Sequence, residues 1–208
     1  AKFSEERNTA ESYMIITRKG IELVTRYAFD LARRAGLRKV TLVHKANILK
    51  TVSGMFLDVA RDVAADYPDI ESEELIVDAT CMKLVMDPHQ FDVIVTTNLF
   101  GDIISDLCAG LVGGLGLAPG ANIGSDAAIF EAVHGSAPDI AGQRIANPCA
   151  LLLAAAQMLL HLGMQERALR LQSAIRETIG DADRVTPDLG GSGTTDSFAD
   201  AIVERIQA

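Results

Sequence analysis

Cysteine is scarce. Cys81, Cys108 and Cys149 are the only three, and no pair has zinc-ligand spacing. Each sits among apolar or small neighbours, so they read as buried free thiols of a reducing compartment, cytoplasm or mitochondrial matrix. Basic residues are also short: 19 Lys and Arg stand against 28 Asp and Glu, giving a net charge of −9. Nonspecific nucleic-acid binding depends on neutralising phosphates, so that balance disfavours it. The most apolar stretch, residues 148–162, contains Gln157 and His161 and is too short to cross a bilayer. No signal peptide, internal repeat or low-complexity tract is visible.

What is present points to packing. Hydrophobic residues make up 49% of 208, enough for a sizeable core in one large domain or two small ones, with further burial in an oligomer. The chain opens on Ala1-Lys2-Phe3-Ser4 without a Met, which reads as a cut. Residues 12–17 look extended. Residues 19–35 carry apolar side chains at helical spacing and stop at Gly36. A β-branched run follows at 40–44, a helix at 54–67 ended by Pro68, and short strands at 75–77 and 91–96 around a brief helix at 79–86. Strands separated by helices imply an α/β fold with a mixed, mostly parallel sheet flanked by helices. The glycine-rich segment 110–124 reads as a hinge or ligand cradle, followed by helices at 148–161, 165–179 and 195–207.

The most informative stretch is Asn98-Leu99-Phe100-Gly101-Asp102-Ile103-Ile104-Ser105-Asp106. With Asn98 as helix cap, Asp102 and Asp106 fall on one face, one turn apart. Like charges at that spacing repel by a few tenths of a kcal/mol, about 0.2–0.5. Mg²⁺ or Mn²⁺, which takes oxygen ligands, removes the conflict. Lys45 and Asn47 follow the strand at 40–44, where open α/β sheets place ligands, and Asp78 follows the apolar 75–77. Together they suggest a metal-assisted site for an anionic substrate. Asp78 also suits a helix cap, and Lys45 a surface lysine.

Gly114-Leu115-Gly116 with Asp139 mimics a dinucleotide fingerprint. Its third glycine is misplaced and a helix precedes it where a strand is required, so a Rossmann site is rejected. Residues 131–142 differ: small residues and a turn offer His134 as a planar surface and Asp139 as an acceptor for both hydroxyls of a ribose.

Four motifs then carry a resemblance: Val43-His44-Lys45-Ala46-Asn47-Ile48, the Asn98–Asp106 stretch, Pro119-Gly120-Ala121-Asn122-Ile123-Gly124, and His134-Gly135-Ser136-Ala137-Pro138-Asp139-Ile140-Ala141-Gly142. Together they resemble the β-decarboxylating dehydrogenases, which act on isocitrate, homoisocitrate, isopropylmalate or tartrate. The likeness runs from about residue 17 to the C-terminus. It implies the isopropylmalate-dehydrogenase-like, non-Rossmann fold with its N-terminal part missing. Residues 1–17 then correspond to a remnant of a dimer-interlocking arm, 18–112 to a small α/β domain with metal and dimer elements, and 113–208 to part of the large domain with the adenosine loop.

The same resemblance implies that Asp102 and Asp106 bind Mg²⁺ or Mn²⁺ from one subunit of a homodimer. Asp78 reaches that ion from the other subunit, and Lys45, also from there, serves proton transfer at the substrate hydroxyl. Asn47 lies near the nicotinamide, while His134, Gly135, Asp139, Ile140 and Asn147 line the adenosine pocket. NADP-preferring relatives carry Lys and Tyr where Asp139 and Ile140 stand, so NAD is the expected coenzyme. His44 before Lys45 resembles the isocitrate and homoisocitrate enzymes, since isopropylmalate enzymes usually carry Asp there. Leu107-Cys108-Ala109-Gly110 and the 119–124 motif lean towards isocitrate, and homoisocitrate stays close through Thr186-Pro187-Asp188-Leu189-Gly190-Gly191. The segment that grips substrate carboxylates and the general-acid tyrosine are absent, and Tyr13 does not stand in that tyrosine's motif. The competing class is a non-catalytic protein: a regulatory subunit, which usually loses the metal carboxylates, or a fragment inactive on its own.

Overall fold

The computed structural model describes residues 2–4 and 8–207. Two short strands, β1 (Lys2–Ser4) and β2 (Thr9–Glu11), form an antiparallel pair with Phe3 opposite Ala10. They belong to the segment expected as an arm remnant, of which residues 1 and 5–7 lie outside the described residues. Residues 12–17 join no sheet, although Thr17 is extended at φ −126°, ψ 145°.

The chain divides into two compact units, Ala1–Leu107 and Cys108–Ala208. In the first, α1 (Arg18–Ala35) begins where Thr17 Oγ1 accepts the Gly20 N–H at 3.1 Å. It ends at Gly36, whose φ of +67° suits a residue without Cβ. Next come β3 (Lys39–His44), α2 (Lys50–Ala64), β4 (Glu71–Ile76), α3 (Val77–Met86), β5 (Val93–Val95) and α4 (Asn98–Leu111). The sheet order is β4-β3-β5, all parallel, with Val43 opposite Leu75 and Leu42 opposite Val95. Phe29 and Ala32 of α1, Phe56, Val59 and Val63 of α2, and Val40 and Leu42 of β3 form one buried cluster. Phe29 stacks on Tyr67 at 5.0 Å between ring centres, and the Tyr67 hydroxyl donates to Asp30 at 2.9 Å.

Two expectations need correction here. Asn98 is the first helical residue of α4, not its cap; the Thr97 carbonyl accepts the Gly101 N–H at 2.9 Å and so occupies the cap position. Asp78 lies inside the first turn of α3, which starts directly from β4 at Val77.

In the second unit, part of the glycine-rich segment expected as a hinge is a strand. There β6 (Pro119–Ile123) pairs antiparallel with β7 (Ala128–Ala132), Ala121 opposite Phe130. Helices α5 (Cys149–His161), α6 (Gln165–Ile179) and α7 (Thr195–Gln207) follow, and Cys149, Ile175, Val185, Phe198 and Ile202 form their shared core. Among the described residues no helix is long and apolar enough to cross a membrane.

Candidate active site

The parallel register brings the carboxyl ends of β3 and β4 side by side, with His44 opposite Ile76. Lys45 follows one strand and Asp78 follows the other by two residues, so their side chains meet: Lys45 Nζ donates to Asp78 Oδ1 at 2.5 Å. Lys45 is largely covered, whereas the Asp78 side chain is 69% exposed and open to a further ligand. The Lys45 ammonium, helped by a backbone hydrogen bond in the first turn of α3, holds the Asp78 carboxyl below the usual carboxylate range.

The Lys45 loop is tightly tied. Lys45 N–H donates to Ser53 Oγ at 3.3 Å, Ala46 N–H donates to His44 Nδ1 at 3.1 Å, and the Lys45 carbonyl accepts from Leu49 N–H at 2.8 Å. Sequence reasoning passed over Ser53, which sits in α2 like any small polar residue and gives no local signal. Burial lowers the pKa of His44, opposed by Glu74 and assisted by Arg61. The folded state therefore resists the proton that an unfolded imidazole takes up near 6.5. Stability of this unit contributed by neutral His44 is complete above about pH 6.5 and falls as pH drops below it. A urea midpoint that declines through that window, and declines less in His44→Asn, is the expected result. Asn47 is exposed beside this loop.

Asp102 and Asp106 stand one turn apart on α4, and both are exposed. Between them Ile104 is buried, which fixes the face that the carboxylates leave free. No ion pair among the described residues engages either one. An uncompensated pair of hard oxygen donors fits Mg²⁺ or Mn²⁺. Within one chain, among the described residues, no three His, Cys, Asp or Glu side chains converge, so Asp78 does not join the pair there.

The second unit carries the other residues of interest. His134 Nδ1 lies 2.9 Å from the Gly135 carbonyl, and both residues are exposed. Asp139, in a short 3-10 turn after the left-handed Ala137 (φ 38°), presents a carboxylate free of ion pairs among the described residues. Gln143 Nε2 donates to the Asp139 carbonyl at 2.7 Å and closes the turn behind it. Ile140 is half-buried beside Asp139. Asn147 is oriented at both ends of its amide: Oδ1 accepts the Cys149 N–H at 2.9 Å, and Nδ2 donates to Asp188 at 2.8 Å. Asp188, part of the Thr186–Gly191 motif, is a partner that its sequence position did not reveal. Burial, with a smaller contribution from Asp188, pushes the Cys149 thiol up to about 12, so it is an inert core group.

Charged residues gathered where parallel strands end are the mark of a ligand-handling α/β protein. The chain belongs to the isocitrate/isopropylmalate dehydrogenase family, whose sequence profile matches residues 1–202. It is 55% identical to the 3-isopropylmalate dehydrogenase of Archaeoglobus fulgidus over 96% of this chain and 61% of that one. It is 53% identical to a mitochondrial NAD isocitrate dehydrogenase catalytic subunit of Arabidopsis thaliana, over 96% of this chain and 54% of that one. The crystal structure of isocitrate dehydrogenase from Methylococcus capsulatus is similar with a TM-score of 0.94 and 59% identity, covering all of this chain and 62% of that one. The chain thus spans a little over half the length of these relatives.

Proposed function

We propose that the protein carrying this chain catalyses NAD-dependent oxidative decarboxylation of isocitrate to 2-oxoglutarate, as a homodimer with shared active sites. The observation that carries the reading is the presence of four charged groups: the Lys45–Asp78 pair at the strand ends, with Asp78 open to a further ligand, and the exposed, uncompensated Asp102/Asp106 pair on α4. A regulatory subunit has no use for the second pair, which costs stability unless a cation is present.

Asp102 and Asp106 would hold Mg²⁺ or Mn²⁺ with Asp78 of a second copy completing the ligand set. When bound, the cation supplies positive charge that acidifies the substrate hydroxyl and offsets the charge left as CO₂ departs, while NAD accepts the hydride. Lys45 moves the hydroxyl proton. It takes up that proton as the neutral amine, and its hydrogen bond to Asp78 sets the nitrogen in place. The His134–Ile140 loop and Asn147 hold the adenosine, with Asp139 accepting from the ribose hydroxyls. A 2′-phosphate placed against the Asp139 carboxylate meets like charge, so NAD is preferred over NADP.

Relatives of nearly equal identity are named for isopropylmalate and for isocitrate, so overall similarity does not choose the acid. The choice of isocitrate rests on the 107–110 and 119–124 motifs, while His44 before Lys45 speaks against isopropylmalate alone. NADH formation with Mg²⁺ and each of isocitrate, homoisocitrate and isopropylmalate tests it; the highest kcat/KM is expected with isocitrate, and a higher value with either other acid overturns the assignment. Asp139→Lys combined with Ile140→Tyr is expected to shift the NADP/NAD ratio of kcat/KM upward by roughly 10- to 100-fold, the worth of one or two charged hydrogen bonds. Unchanged selectivity in that variant would count against the pocket.

A further inference from the structure

We propose that His44 is a positioning residue for Lys45, holding the loop that aims Lys45 at Asp78 through the hydrogen bond that its neutral Nδ1 accepts from the Ala46 N–H. The functional consequence rests on the role given to Lys45 above; the geometric claim stands apart from it.

The Ala46 N–H reaches His44 Nδ1 at 3.1 Å, so this nitrogen is an acceptor and the ring proton sits on Nε2. An imidazolium has no lone pair at Nδ1. It would point one N–H at another, and the bond would be lost. The contact closes a turn from residue 44 to 46, directly across Lys45. Loss of it frees the Ala46 N–H and leaves the loop to the Ser53 hydroxyl on the Lys45 N–H, at a longer 3.3 Å, and to the Leu49 N–H on the Lys45 carbonyl at 2.8 Å. Lys45 Nζ depends on that backbone for its 2.5 Å contact with Asp78.

The surroundings favour the neutral ring. His44 is half-buried at the end of β3. The charged groups that act on it are Glu74 from β4 and Arg61 from α2. Those two are joined by a pair of 2.7 Å hydrogen bonds, so their fields on the ring oppose each other. Burial is left as the dominant influence, and it acts against the cation.

The geometry also says which substitution should replace His44. An asparagine Oδ1 lies at the same number of bonds from Cα as Nδ1 and accepts the N–H of the second following residue, as in an Asx turn. It does not titrate. Leucine keeps bulk and removes the acceptor.

The test is a series of ¹H–¹⁵N spectra of the chain from about pH 8 to about pH 5, the range in which histidine changes charge. The Ala46 amide signal is expected to titrate with a midpoint below about 6.5, and the Lys45 and Asn47 amides to follow it. His44→Asn should hold all three near their positions at high pH throughout. His44→Leu should abolish the titration and speed exchange of the Ala46 amide on the order of ten-fold. An Ala46 amide that ignores pH, or titrates alike in wild type and His44→Asn, overturns the proposal. A kinetic arm separates it from the assigned function: the acid limb of the kcat profile should flatten in His44→Asn. NADH formation together with silent amides defeats this inference alone, whereas titrating amides without turnover by the whole protein carrying this chain, on any of the three acids, defeat the assigned reaction alone.

Discussion

Asp102→Asn is expected to lower kcat/KM by on the order of a thousand-fold while leaving the fold slightly more stable. Cation assistance is worth several kcal/mol of barrier, and each 1.36 kcal/mol is tenfold in rate, so removing one of the three proposed anionic ligands reaches about that size. Stability should move the other way. Asp102 and Asp106 are exposed, one turn apart, and unpaired among the described residues. Neutralising one therefore relieves repulsion of about 0.2–0.5 kcal/mol. A structural carboxylate gives the opposite signature, losing stability and activity together. Steady-state NADH production and urea unfolding of the same preparation check both halves. Activity within fivefold of wild type would remove Asp102 from the metal site.

The largest effect on folding is expected at Gly191. A β-carbon there would fall on the Val185 carbonyl oxygen and come within 2.5 Å of Val185 Cγ2 and 2.7 Å of the Ala182 carbonyl oxygen. These are main-chain and core atoms with nowhere to move: Val185 is 1% exposed and packs with Ile175 and Phe198. The turn is also laced shut, since Gly191 N–H donates to the Thr186 carbonyl at 3.2 Å and Gly193 N–H to the Val185 carbonyl at 2.8 Å. Gly191→Ala should therefore cost more than about 3 kcal/mol, at the severe end for one methyl group. The second unit should melt first. A thermal midpoint within about 2 °C of wild type, read by circular dichroism, would contradict this packing.

How much of the architecture the sequence disclosed depends on how far each element obeys its own periodicity. In α1 the buried Ile21, Ala28 and Ala32 recur at helical spacing, and Gly36 supplies the stop, so its extent was legible almost to the residue. Helix α6 was equally clear at Gln165–Ile179. The start of α2 was not, because Leu49 offers no side-chain cap and nothing marks Lys50 as the first turn. Four of the six residues of β4 were hidden in Glu71-Ser72-Glu73-Glu74, a run too acidic to read as strand. The structure shows why it is tolerated: Lys39 reaches Glu73 at 2.9 Å, and Arg61 grips Glu74 with two bonds. Strand β6 was masked by glycine and proline, and only its pairing with β7 makes it a strand.

The candidate site was legible where charge stood in an apolar frame. Asp102 and Asp106 beside the buried Ile104 announced themselves through conflict, and Lys45 and Asp78 through the strand ends they follow. The partners that orient those groups were not legible. Ser53 lies eight residues from Lys45 and Asp188 lies 41 residues from Asn147, distances at which only the folded chain makes a neighbour.

The central claim is that each site is built from two copies, Asp102 and Asp106 from one and Asp78 with Lys45 from the other. Co-expression of Asp102→Asn and Asp78→Asn subunits tests it most directly. Each variant alone should be nearly inactive. Random pairing puts about half the dimers in the mixed form, and each of those regains one intact site of two, so roughly a quarter of wild-type activity should return. Activity no higher than that of either variant alone would place all the ligands in one chain and contradict the account.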